Sequence, residues 1–204
     1  MTFTHSLVLI LLAYLFGSLP IGLLVGRMVK GIDVRDYGSG NIGASNVWRI
    51  MGPLWGTAVF LFDFCKGYFP TVLTTRIAEH HPDITPWLSV VVGLAAIMGH
   101  NFSPFLRFKG GKGVATSLGV VFGLSPTAAA IGFAVWGVCL FVTRYISVSS
   151  MIAAVITSGV LIFFHHDLPH VLFAVLVTLF VVLKHRPNIA RLRAGTEPKV
   201  QASA

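Results

Sequence analysis

The sequence predicts an all-α integral membrane protein, and three observations carry that prediction. Of 204 residues, 55% are hydrophobic and 11% charged, with a mean hydropathy of +0.82, so much of the side-chain surface must face something other than water. The apolar residues fall in runs that, at about 1.5 Å per helical residue, reach across a hydrocarbon core of about 30 Å. The basic residues collect in alternate connections: thirteen Lys and Arg on one side, only Arg76 on the other, and Lys66 within a span. By the positive-inside rule this reads as seven transmembrane helices, with the N-terminus outside, the C-terminus in the cytoplasm and a short fourth helix.

Taken in order, residues 6–26 carry no charge and form span 1. No Lys or Arg precedes them as a signal peptide would require, so the span is expected to be uncleaved. A polar segment, 27–52, leads to a second apolar run over 53–75. Asp63 and Lys66 interrupt that run three residues apart on one helix face, as an ion pair or as functional groups inside the bundle. A loop over 76–83 joins span 3, residues 84–106, with His100 near its end. From 113 to 143 there are 31 residues without Asp, Glu, Lys or Arg, too many for one helix at ordinary tilt, and Gly123-Leu124-Ser125-Pro126 divides them. Span 4, 114–124, is then too short to cross unless its start is recessed under protein or a polar cavity. Spans 5, 6 and 7 follow over 127–142, 148–164 and 169–183, and a basic tail closes the chain. Cys65 and Cys139 lie in apolar runs and read as small hydrophobes. Without repeat or linker, residues 1–204 form one domain.

The formal charge of +8 suits nucleic acid in a soluble chain, but in one this apolar it fits topology bias and an anionic ligand better. Four polar stretches lie on the basic side. Phe108-Lys109-Gly110-Gly111-Lys112-Gly113 sets two ammonium groups among three glycines before a helix start, which suits a phosphate and equally suits a short turn with Gly as cap and Lys as topology signal. It is not a Walker A loop, because Gly113 follows Lys112 and Leu106 stands where the first glycine belongs. Residues 38–49 alternate small residues with amides and hydroxyls, and Arg49 adds a planar fork for phosphate, although such a loop is often only a loop. In 144–150, one of the serines is expected to cap a helix. In 184–191, His185 stands beside Arg186. Other chemistries lack their parts: Asp33 and Asp36 sit amid a turn, His80-His81 and His165-His166 have no Cys partners for a metal, and neither HxxxxD nor G-x-S-x-G occurs.

The stretches GSGNIGASNVWR (38–49), FDFCKG (62–67), GHNFSPFLRFKGGKGVAT (99–116), TRYISVSS (143–150) and HRPNIARL (185–192) resemble the PlsY family, the bacterial acyl-phosphate-dependent glycerol-3-phosphate acyltransferases. Ser45 replaces the usual Thr and keeps the hydroxyl. The resemblance implies transfer of an acyl group from acyl phosphate to the 1-hydroxyl of glycerol 3-phosphate at the cytoplasmic face of the bacterial inner membrane. It needs no cofactor or metal and no nucleic acid, and the enzyme that supplies acyl phosphate is an implied partner. It also implies roles: Lys112, Arg49 and the backbone of Gly110, Gly111 and Gly113 on phosphate; Ser39, Asn41 and Asn46 holding polar substrate; His185 and Asn188 orienting glycerol 3-phosphate; Arg144 and Ser149 completing the pocket. A transporter for a phosphorylated anion is the rival, with Asp63 and Lys66 as its only support, since carriers place their sites near the midplane.

Overall fold

The computed structural model describes residues 3–79 and 87–200, and among them every regular element is helical. The chain packs as two units that meet in sequence at Leu124 and Ser125. The first holds α1 (Phe3–Gly17), α2 (Ile21–Lys30), α3 (Ala44–Met51), α4 (Pro53–Glu79), α5 (Trp87–Asn101) and α6 (Val114–Leu124). The second holds α7 (Pro126–Thr143), α8 (Ile146–Phe164), α9 (Leu168–Lys184) and α10 (Arg186–Arg193). Among the described residues, four stretches are long and apolar enough to cross a membrane, Phe3–Lys30, Trp87–Leu106, Pro126–Thr143 and Ile146–Phe164, and the bent pair α9 and α10 makes a fifth when counted as one span.

Span 1 differs from its expectation: the helix breaks at Ser18-Leu19-Pro20 and resumes at Ile21. Proline lacks an N–H and disfavours helical backbone at the residue before it. The carbonyls released there find side-chain donors, Ser103 Oγ to Ser18 O at 2.7 Å and Lys66 Nζ to Leu19 O at 2.8 Å. Half of the loop expected at 76–83, with His80 and His81, lies outside the described residues, and α4 remains helical to Glu79. Helix α6 has the short bounds expected of span 4. It lies against α4 at backbone distance: a Cβ on Gly67 would strike Thr116 O, and one on Gly119 would strike Phe64 O. Small residues at such crossings let two helices gain dispersion energy where lipid offers no hydrophobic drive. Two short helices, α3 and α10, arise inside stretches expected to be loops.

Candidate active site

In the first unit, Asn46 organises the 38–49 loop. It is 1% exposed in the first turn of α3; its Oδ1 accepts the Ser39 N–H at 2.8 Å, and its Nδ2 donates to Val34 O, Asn41 O and, more weakly, Tyr37 O at 2.9, 2.8 and 3.2 Å. Asn41 Oδ1 accepts the Gly43 N–H at 2.8 Å. The Asn46 amide is therefore the loop's staple, with its donors and its acceptor engaged by backbone. What the staple presents is Ser39 tied to α3, the helix that carries Arg49. The Ser39 hydroxyl and the exposed Arg49 guanidinium have no hydrogen-bond or ion-pair partner among the described residues.

The glycine-rich loop folds back on the end of α5. The Gly110 N–H donates to Asn101 O at 3.2 Å and the Gly111 N–H to His100 O at 3.0 Å. Those two donors are thus committed to the end of α5. The close approach itself needs glycine. A Cβ on Gly111 would run into His100 Nε2, and Gly113, at φ +78°, would bring one within 2.7 Å of Asn101 Oδ1. Thr116 and Ser117, in the first turn of α6, bury hydroxyls that have no hydrogen-bond partner among the described residues. Thr116 closes the polar stretch over 99–116, whereas Ser117 lies beyond it.

Beneath this loop lies the buried pair. Lys66 Nζ is 2.6 Å from Asp63 Oδ1, and both side chains are nearly inaccessible. The same ammonium donates to Leu19 O and, at 3.3 Å, to His100 Nδ1. An ammonium only donates, so His100 Nδ1 accepts and its Nε2 carries the proton toward Gly111. Asp63 and Lys66 thus join the α1–α2 break, α4 and the loop's support, a structural assignment that removes the observation favouring a transporter.

The second unit holds a cluster around Glu197, which the sequence reading left unassigned in the tail. Its carboxylate accepts from Asn188 Nδ2 at 2.6 Å, Ser147 Oγ at 2.7 Å and Arg191 Nε at 2.8 Å. Burial alone would raise its pKa, but the hydrogen bonds from Asn188, Ser147 and Arg191 bring it below the ordinary Glu value. The Val200 N–H donates to Arg144 O at 2.8 Å, returning the tail to the α7–α8 turn, where Arg144 caps α7 in left-handed backbone at φ 60°. His185, 2% exposed, donates from Nδ1 to Val181 O at 2.7 Å, which leaves the lone pair on Nε2. The capping expected of a serine in 144–150 does not occur: Tyr145 holds the cap position of α8, and the buried Ser149 hydroxyl donates to Tyr145 O one turn back. Ser147, not Ser149, meets the tail.

Elsewhere, His165, Asp167 and His170 bring ligand-type atoms within 4.8 Å of one another, a grouping that the His165-His166 pair alone does not announce. The contact of His170 Nδ1 with Asp167 at 2.7 Å accounts for their proximity as part of the start of α9.

Long apolar helices that carry buried polar clusters define the class of a multi-pass membrane protein. Its relatives are specific. A family model described as glycerol-3-phosphate acyltransferase matches residues 7–195. Glycerol-3-phosphate acyltransferases of Desulforudis audaxviator, 46% identical over 92% of each chain, and Bacillus subtilis, 44% identical over 95% of this chain and 96% of that one, align along nearly their whole length. The crystal structure of PlsY, an integral membrane glycerol 3-phosphate acyltransferase, in its glycerol 3-phosphate form superposes with a TM-score of 0.90 at 38% identity, covering 97% of this chain and 96% of that one. Its lysophosphatidic acid form gives 0.86. The chain belongs to the glycerol-3-phosphate acyltransferase family and is an acyltransferase of that class.

Proposed function

We propose that this enzyme transfers a fatty acyl group from acyl phosphate to the 1-hydroxyl of glycerol 3-phosphate, giving lysophosphatidic acid and inorganic phosphate. The observation that carries the reading is the Ser39–Asn46 tie. It fixes an unpartnered hydroxyl to the helix bearing an uncompensated arginine, as a phosphoanion requires. Arg49, Lys112, Ser39 and the Gly113 end of the loop bind phosphate, with Gly110 and Gly111 as its close-packed base; Asn41 and Asn46 shape the loop; His185 and Asn188 orient glycerol 3-phosphate, supported by Arg144 and Ser149. The acceptor hydroxyl attacks the acyl carbonyl directly, cationic and backbone donors stabilise the oxyanion, and phosphate leaves. The hydroxyl proton passes to His185 or to a phosphate oxygen of the substrate itself.

The catalytic domain is the whole chain, 1–204, with seven spans in the bacterial inner membrane, N-terminus outside, the site facing the cytoplasm, and the enzyme that makes acyl phosphate as partner. The basic bias of the loops supports this topology. The test is purified protein with palmitoyl phosphate and glycerol 3-phosphate: lysophosphatidic acid and phosphate should appear in equal amounts, and a carrier would release neither. Lys112→Ala should abolish transfer while the protein stays folded in detergent; full activity in that variant would remove Lys112 from the site.

A further inference from the structure

Outside these clusters, a cavity of about 410 Å³ in the first unit is lined by Arg27, Arg35, Arg107 and Lys109, with Leu23 and Phe105 on its apolar wall. None of the residues assigned above to substrate lines it. Its cations outnumber the charge that offsets them. Asp33 serves both Arg27, at 3.3 Å, and Arg35, at 2.6 Å, while Arg107 and Lys109 have no carboxylate partner among the described residues. Like charges gathered in one open cavity repel until an anion enters.

The backbone is held in an unfavourable shape to bring them there. Arg107 and Phe108 both adopt left-handed conformations, φ 52° and 62°, which residues other than glycine avoid. The Phe108 N–H, donating to Ser103 O at 2.8 Å, and the Ser103 hydroxyl, donating to Ser18 O at 2.7 Å, fix that turn to the α1–α2 break. The cavity also has a defined depth. Arg27 lies in the last turn of the candidate span Phe3–Lys30, and Arg107 directly follows the candidate span Trp87–Leu106. Both candidate spans end here, and Phe105 and Phe108 are exposed beside the cations, as aromatic residues are at a membrane interface.

We infer that this cavity is a binding site for the phosphate of an anionic phospholipid of the surrounding bilayer, separate from the substrates' site. Charge complementarity selects an anion, and the apolar wall with the two span ends selects one whose tails remain in the membrane.

The test uses the full-length enzyme in bilayer discs of phosphatidylcholine with or without phosphatidylglycerol, reading the phospholipid retained by native mass spectrometry and KM for glycerol 3-phosphate. Wild type should enrich phosphatidylglycerol over phosphatidylcholine. Arg27→Gln and Arg107→Gln should each lower the enrichment about fivefold, with KM unchanged to within about twofold. Inorganic phosphate at matching concentration should not displace the lipid. Arg27 is 60% exposed, so Arg27→Gln alone carries the test if the Arg107 variant fails to fold. Undiminished enrichment in a folded variant, displacement by inorganic phosphate, or a KM rise that takes the place of lipid loss would each overturn the inference.

Discussion

At the level of single residues, the groups proposed to meet substrate differ from groups whose hydrogen bonds hold neighbouring backbone and side chains in place. Asn46 belongs to the second kind. Asn46→Ala leaves Val34 O and Asn41 O without their donor and should lower stability by about 1–3 kcal/mol, read by thermal melting in detergent. Glu197 is likewise a holder, of Asn188 and Ser147. Its folded pKa lies below the unfolded value, so its contribution is present above that unfolded value and is lost as pH falls through the folded one. Melting midpoints should therefore drop more steeply on acidification in wild type than in Glu197→Gln, which has already lost the charge; parallel curves would deny Glu197 this role.

At the level of helices, the Asp63–Lys66 pair carries the most consequence. Removing one member leaves the other charged and buried, so Lys66→Met should cost about 3–5 kcal/mol, whereas Asp63→Asn together with Lys66→Met should recover part of that. A double variant no more stable than the single would show that Lys66 acts through Leu19 and His100 rather than through Asp63. The α4–α6 crossing gives a second prediction. Gly119→Leu has no space against Phe64 O and should separate the helices and melt at lower temperature, while Gly137→Leu on α7, with no neighbour within 4 Å of its Cβ position, should be tolerated.

On the scale of the whole molecule, each unit by itself carries polar groups mounted on apolar helices. A membrane-embedded enzyme suits a reaction between a water-soluble acceptor and a greasy donor, since the acyl tail can stay among helices while phosphates meet loops. The proposed topology is testable by labelling. With Cys65 and Cys139 replaced, a cysteine at Lys199 should react with a membrane-impermeant maleimide only when the cytoplasmic face is exposed, and reaction from the outside would reverse the orientation.

Much of this was legible without coordinates. Span 4 was found at its true length because Gly113 before it and the Gly-Leu-Ser-Pro break after it are local features whose backbone effect does not depend on context. The motifs that mark the family are also contiguous, so the resemblance to the acyltransferases can be read from the chain itself. Tertiary structure decided which polar groups were already taken. Whether the amide of Asn46 or the N–H of Gly111 is free for a ligand depends on acceptors many residues away or across a turn, and no local pattern records them. The same holds for Lys66, whose partner Leu19 O exists only because Pro20 interrupts a helix that hydropathy reads as continuous, and for Glu197, an ordinary tail residue until folding surrounds it with Ser147, Asn188 and Arg191. Sequence specifies which groups are available; only the fold specifies what remains unsatisfied, because a hydrogen bond is a relation between two places.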